Sequence, residues 1–592
     1  MVDEGACAGA LGYLYQTVGR TPVAGVLAKS LHATRGSGRN GAVTAPLTTG
    51  GFPGATLSAW KGGKAFRVSR DEDGGLDVNA GAASGVRWSS ISTIALVAAN
   101  VAYTAIASRL LTPSAFGLMA LANLVVLFLQ FFTRLGLASA LVQKPDLTEE
   151  DIRAASTAGA VLGIVFFALV WSLAPWISEL FNEPTLTGVL RVLAVSFPVA
   201  GWSMTGLGLL TRDLRFGALS VITVTTYVFS YIVVGIGLAL AGAGVWSLVA
   251  ASLTSVLIQA AWQYILVRHP VRPPLRWTPY RTVGGFGATL SMAHLLDYLG
   301  NGLCTFVLGR SANAAVIGQF NRAYYLAFQS IRIYLGEALA NVLFSGLSAI
   351  QDDKPRVRRA YLSVLCIGAL AVFPPCAGMA VAAPELVRVV LGPSWQLAAD
   401  ILPWFALAAA MSVLSRFSQA LAESRAALGR SLLVQGIYIV LLSLLLLVVA
   451  YELQAKGVWL FAAAVAVGEL CRFGAYLHLT RRLLSLGMVE TVRSLLPGLF
   501  AAGLVVLAMG VLRITLSGEV SSPLVLLVAE FLVATFAYAV GVRTWPLPDA
   551  RHALWSSASA FGGLGEVGRW RWKLALLVLG PSSGVATAGE SS

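Results

Sequence analysis

The chain of 592 residues is 57% hydrophobic and only 12% charged, with a mean hydropathy of +0.75. A soluble protein of that length needs more polar surface, so much of this surface must face lipid. The 42 basic and 28 acidic residues leave a net charge of +14. Because the basic residues punctuate apolar stretches, as in RHPVRPPLR (268–276) and DDKPRVRR (352–359), the excess reads as orientation in a bilayer and argues against a nucleic-acid partner.

Residues 1–83 are rich in Gly, Ala, Ser and Thr without a sustained period, which predicts a disordered N-terminal extension. Its start, MVDEGACAGALGYLYQ, lacks the basic and apolar regions of a signal peptide. About fourteen apolar segments follow, each near the ~20 residues a helix needs to cross hydrocarbon. Six fall at 88–109, 115–134, 154–178, 187–210, 217–241 and 244–267, within 84–268. Six more fall at 284–308, 315–343, 359–382, 398–421, 429–451 and 457–479, within 269–482, and two at 494–514 and 523–543, within 483–544. In the tail, 545–592, Trp570, Trp572, Arg569, Arg571 and Lys573 either lie along the headgroups or belong to a frayed end.

Alternate loops differ in charge. One side carries Lys144, Arg153, Arg212, Arg215, Arg268, Arg272, Arg276, Lys354, Arg356, Arg358, Arg359, Arg425, Arg430, Arg481, Arg482 and Arg493; the other has Arg109, Arg310, Arg388, Lys456 and little else. The positive-inside rule makes the first side cytoplasmic, and an even span count puts both termini there.

An internal repeat organises the spans. The second opens RLLTPSAFG (109–117) and the eighth RSANAAVIG (310–318). Each continues to Leu-Gly, at Leu135-Gly136 and Leu335-Gly336, and the helix that follows finishes at Ala-Pro, at Ala174-Pro175 and Ala383-Pro384. The expected fold is all-α and polytopic, with about fourteen transmembrane helices arranged as two pseudo-symmetric six-helix lobes plus two C-terminal helices. Two like lobes around a central site is a transporter plan.

Ionisable groups inside apolar spans normally face a wet cavity or a partner. At 100° per residue, Asn321, Arg322, Tyr325, Gln329, Arg332 and Gly336 fall within about a 100° arc of span eight. His294, Asp297, Tyr298, Asn301 and Thr305 share a face of span seven. Substrate-binding candidates are therefore Arg322, Arg332, Asn321, Tyr325, Gln329 and Asn301, with Asp297 and His294 as ion-coupling candidates. Cations in such a cavity suit an anionic headgroup such as a diphosphate. Other polar groups are Asn100, Tyr103, Asn123, Gln130, Arg134, Gln259, Gln263, Arg416, Gln419, Glu469 and Arg472. Snorkelling or helix-to-helix ion pairing is the competing reading, and it is favoured for Arg134, Arg416 and Arg472. Pro198, Pro374-Pro375 and Pro403 lie inside spans, where proline kinks a helix with or without a role in movement.

No catalytic, metal or cofactor pattern stands out. The five cysteines form no CxxC, the histidines lack zinc spacing, and the only Gly-Lys, Gly63-Lys64, is followed by Ala65. No cofactor, no metal and no nucleotide-driven step is expected.

The run RLLTPSAFGLMALANLVVLFLQFFTRLGLASALVQKPDLTEEDIRAA (109–155) strongly resembles the polysaccharide-exporting flippases of the Wzx/WzxC type, in the multidrug/oligosaccharidyl-lipid/polysaccharide exporter superfamily. The resemblance recurs at LRVLAVSFPVAG (190–201), GVWSLVA (244–250), IGQFNRAYYLA (317–327), VLFSGLSAIQDDKPRVRRAY (342–361) and APELVRVVLGPSW (383–395). It implies two six-helix lobes that alternate between inward-open and outward-open states. It also implies a lipid-linked oligosaccharide substrate, membrane-lipid contacts, polymerase and glycosyltransferase partners, and ion-gradient coupling in a bacterial inner membrane. Three positions depart from the pattern. Asn301-Gly302-Leu303-Cys304 stands where Arg-Asn-x-Asp is frequent, Arg134 where an acidic residue is frequent, and Ser345 where proline is usual.

Three other functions compete. A multidrug exporter would want an acidic, apolar cavity, and a membrane glycosyltransferase an acidic site on a long loop; neither feature is present in the sequence. A non-transporting scaffold of a polysaccharide assembly complex is the third.

Overall fold

The computed structural model describes residues 95–134, 147–213, 215–270, 288–332, 353–425, 427–516 and 522–544, with single positions at 141, 144, 336, 340, 343 and 347. Side chains at 131–134, 288–297, 301, 428 and 452–456 lie outside that description. The expected disordered extension 1–83 and tail 545–592 lie outside it as well.

Among the described residues the regular elements are helices, joined by short turns and loops. In chain order they form α1 (Ala95–Leu110), α2 (Pro113–Arg134), α3 (Glu149–Leu180), α4 (Leu186–Ala194), α5 (Ser196–Arg212), α6 (Phe216–Tyr227), α7 (Ile236–Leu240), α8 (Val245–Val267), α9 (Ala288–Ser311) and α10 (Ala314–Ala323). The second half forms α11 (Lys354–Val381), α12 (Ala383–Val390), α13 (Gln396–Ser424), α14 (Leu428–Lys456), α15 (Trp459–Leu484), α16 (Met488–Leu516) and α17 (Pro523–Thr544). Among the described residues, eleven helical stretches are long and apolar enough to cross a bilayer.

Local chemistry explains the boundaries. Thr148 and Asp151 cap α3 reciprocally: the Thr148 hydroxyl accepts from the Asp151 N–H at 3.2 Å, and the Asp151 carboxylate accepts from the Thr148 N–H at 2.9 Å. Span four, expected over 187–210, runs as one helical stretch, Leu186–Arg212, with a single tighter turn at Val195 between α4 and α5. Pro198 has no N–H to give the Ala194 carbonyl, and beside it the Val195 N–H bonds to the Val192 carbonyl at 3.2 Å. Pro175, Pro374, Pro375 and Pro403 likewise sit inside α3, α11 and α13 without ending them.

Two spans contain π-helical turns, at Val228–Gly235 between α6 and α7 and at Tyr324–Gln329 after α10. Wider turns of this kind shift the faces of the helix that follows.

Packing separates an interior of small side chains from a greasy exterior. Along α13, Ala406, Ala408, Ala409, Ser412, Ser415 and Ser418 are buried, which allows close approach of α11 and α15. The Tyr361 hydroxyl ties these three helices together, at 2.8 Å from Ser418 Oγ and 3.1 Å from Thr480 Oγ1. Phe531 and Phe536 of α17 are 70% and 72% exposed, an arrangement that water would penalise and acyl chains would not.

Candidate functional site

The two repeat motifs meet each other at the end of the bundle away from the basic loops. Helices α2 and α10 cross at Gly117 and Gly318: a Cβ at Gly117 would lie 1.7 Å from the Ala314 carbonyl oxygen, and one at Gly318 would lie 1.8 Å from that of Pro113. The paired arginines of the motifs are used reciprocally. Arg109 Nη2 donates to the Val389 carbonyl at 2.5 Å, and Arg310 Nη1 donates to the Leu180 carbonyl. Leu180 stands as far beyond Ala174 as Val389 stands beyond Ala383, so corresponding arginines hold corresponding carbonyls across the junction. Glu183 Oε1 accepts the Ala314 N–H at 2.9 Å, satisfying a free donor at the start of α10. Trp395 Nε1 donates to the Ser108 carbonyl at 2.9 Å.

One turn beyond Gly318 on α10 is Arg322, 4% exposed. Its guanidinium carbon sits 4.0 Å from the centroid of the Phe116 ring, and Tyr103, Tyr227 and Tyr325 are within electrostatic range. Phe116 is edge-on to Trp395 at 5.5 Å. Tyr103 packs edge-on to Tyr231 at 5.3 Å, and Tyr227 stacks on Tyr231 at 4.8 Å. Tyr227 and Tyr231 are four residues apart, one turn along the same helical stretch, which brings their rings together. The result is a delocalised cation enclosed by aromatic faces, which is favourable for guanidinium when water is excluded. In this conformation Arg322 is buried with its guanidinium over the Phe116 ring.

The rest of the stripe behaves differently. Asn321, Tyr325, Gln329 and Arg332 are half-buried. Arg332 lies 6.0 Å from the Phe328 ring. The 100° arc assumed a regular α-helix, but the π turn Tyr324–Gln329 intervenes, so Arg322 and Arg332 occupy distinct surroundings. Gly336 is buried against Val413.

On α9, the backbone at His294, Asp297 and Asn301 is helical, but their side chains lie outside the described residues. Tyr298 donates to the Leu124 carbonyl at 2.7 Å, docking α9 on α2. Gly300 abuts Tyr438, so this stretch of α9 runs beside a buried polar cluster. There, Tyr438 donates to Glu469 Oε1 at 2.9 Å, and Arg472 Nη1 is 3.4 Å from the same oxygen. The Arg472 guanidinium carbon is 5.0 Å from the Tyr438 ring centroid. Glu469 and Arg472 are 1% and 4% exposed. They form a buried ion pair within α15, just as Arg416 bonds Gln419 at 2.8 Å along α13. The Arg134 side chain lies outside the described residues.

Phe116, Tyr227, Tyr231 and Trp395 were not singled out by the sequence. The spacing of Tyr227 and Tyr231 by one turn was the available signal.

A polytopic helical membrane protein whose two repeat motifs clasp at one end has counterparts among solved transporters. The inward closed conformation of the lipid II flippase MurJ aligns with a TM-score of 0.62 over 76% of this chain and 97% of that one, at 10% identity. An inward-facing MATE-family multidrug resistance transporter of the MOP superfamily aligns with a TM-score of 0.52 over 65% of this chain and 94% of that one, at 16% identity. At those identities the likeness shows the fold.

Sequence relatives narrow the class. Residues 106–400 match the family described as polysaccharide biosynthesis protein. The chain is 24% identical to the lipopolysaccharide biosynthesis protein WzxC of Escherichia coli K12 over 53% of its own length and 63% of that protein's. It therefore spans just under two thirds of that relative. It is 25% identical to the teichuronic acid biosynthesis protein TuaB of Bacillus subtilis 168, over 56% of this chain and 68% of that one. With the succinoglycan biosynthesis transport protein ExoT of Rhizobium meliloti 1021 the identity is 23%, over 54% and 65%. In sequence the chain resembles polysaccharide biosynthesis and transport proteins of the Wzx/WzxC type, as its motifs indicated.

Proposed function

We propose that this protein is a flippase for a lipid-linked oligosaccharide, an undecaprenyl-diphosphate-linked sugar in a bacterial inner membrane, working by alternating access in exopolysaccharide or lipopolysaccharide biosynthesis. In this reading about fourteen spans form two like lobes and a C-terminal pair, with both termini cytoplasmic. The protein makes no covalent bond. The observation that carries the proposal is Arg322: a buried cation directly beneath the junction of the two repeat motifs, continued by half-buried Asn321, Tyr325, Gln329 and Arg332. A diphosphate entering from the cytoplasmic leaflet would meet Arg332 first and would draw on Arg322 as the junction opens. The preorganised guanidinium forks suit such an anion. Asn301 contributes sugar contacts, Asp297 and His294 couple the movement to an ion gradient, and the enzymes that build and polymerise the repeat unit are the partners.

The test is export in a strain deleted for the gene. The parent chain should restore surface polymer, while Arg322→Ala combined with Arg332→Ala should insert normally and leave lipid-linked oligosaccharide on the cytoplasmic leaflet. Normal polymer export by the double variant would sink the assignment.

A further inference from the structure

The C-terminal pair α16 and α17 takes no part in the junction motifs or in the cationic stripe, yet it carries buried charges. Arg513, near the end of α16, donates through Nε to Glu530 Oε1 of α17 at 2.7 Å and through Nη2 to Glu385 of α12. Glu530 is 1% exposed and Glu385 16%. Helix α12 is the same short element whose Val389 carbonyl accepts from Arg109 and whose Val390 carbonyl lies 3.5 Å from Ser108 Oγ. It therefore sits between two grips. One comes from the end of α1, across the junction, and the other from α16 and α17 behind it.

We propose that Arg513 is a positioning residue for the closed end of the transporter, and that α16 and α17 act as a fixed post against which α12 is braced so that Arg109 can reach it. The idea rests on the alternating-access reading above. The charge arithmetic gives the direction: Arg513 is one cation facing two carboxylates. Its removal cuts the tie and leaves Glu385 and Glu530 repelling each other in a poorly solvated place, which pushes α12 off its post. Loss of Glu385 alone cuts the tie but leaves Arg513 bound to Glu530, so its effect is smaller. Arg513→Lys keeps the charge and loses only the fork.

The experiment reads the junction without using substrate. With the five native cysteines replaced by alanine, Ser108→Cys places a thiol in the closed junction, where the serine is 2% exposed. Modification by a membrane-impermeant maleimide is followed in intact cells. Arg513→Gln should speed labelling by about tenfold, the change expected when one member of a buried charge cluster is removed from a two-state element. Glu385→Gln should speed it less, and Arg513→Lys should return it near the parent rate. A thiol at Ser424→Cys, at the opposite end of α13 and 7% exposed, should be labelled in inverted vesicles at an unchanged or lower rate. Parental labelling of Ser108→Cys in Arg513→Gln would overturn the proposal, and so would faster labelling at both ends, which would mean general loosening. Polymer export by the Arg322 and Arg332 variants reports separately on the transport reading.

Discussion

Gly117 and Gly318 face each other where α2 and α10 cross, each so close to the start of the other helix that one added methyl would overlap a carbonyl oxygen. No flexible side chain stands in the way to yield, so the backbones must part. Overpacking of this kind costs about 1–3 kcal/mol, enough to shift a junction between two states by tenfold or more. Gly318→Ala and Gly117→Ala should therefore insert normally but reduce polymer export by about tenfold, each through failure to close this end. Export at the parental level from either variant would mean that the crossing is not closed during the cycle.

Much of this junction was legible in the chain, but only as a list of landmarks. Arg109 and Arg310, Gly117 and Gly318, and the two Ala-Pro pairs could be matched by spacing alone. Spacing could not say that the motifs touch, because the contact is between the repeats and leaves no periodic signal within either. The geometry of the stripe on span eight was less legible for a different reason. Its arc was drawn with 3.6 residues per turn, and the π turn from Tyr324 to Gln329 has no marker in composition. Span four was read as one helix although Pro198 lay inside it, and the proline is absorbed there with one tightened turn, as Pro403 is in α13. The ion pair of Glu469 with Arg472, three residues apart on α15, was visible as a pattern, while its partner Tyr438 on α14 was not.

Arg322 should be sensitive to shape as well as to charge. Its guanidinium carbon lies 4.0 Å from the centre of the Phe116 ring, a distance that a planar, weakly hydrated cation exploits better than an ammonium. Arg322→Ala should abolish export, and Arg322→Lys should retain a fraction of it, with the deficit about 0.5–2 kcal/mol when expressed as a transport-rate ratio. Equal activity of Arg322→Lys and the parent would reduce the role of the aromatic enclosure to packing.

The Glu469–Arg472 pair should behave as a unit. Removing one member leaves a charge in the interior, which costs about 3–5 kcal/mol, whereas replacing both with apolar groups of similar volume is often close to neutral. Arg472→Met and Glu469→Met should each lower the thermal midpoint of the purified protein markedly, and the double variant should recover most of the loss. Additive losses in the double variant would show that the two side chains do not depend on each other.

His269, just beyond α8, gives the fold a pH dependence of known sign. Its ring is 3% exposed, packed between Trp202 and Tyr264 with centroids 5.6 Å from each. Burial holds the imidazole below its ordinary value of 6.5, and a hydrogen bond to the backbone of Pro270 offsets only part of that. The unfolded chain therefore takes up a proton at a pH where the folded protein still does not. This group's contribution is fully present above 6.5 and is lost progressively as pH falls below it. The thermal midpoint in detergent should decline on moving from about pH 7.5 to about pH 5, and His269→Phe, which keeps an aromatic ring between Trp202 and Tyr264 but cannot titrate, should flatten that part of the decline. Identical pH slopes for parent and variant would remove His269 as its source.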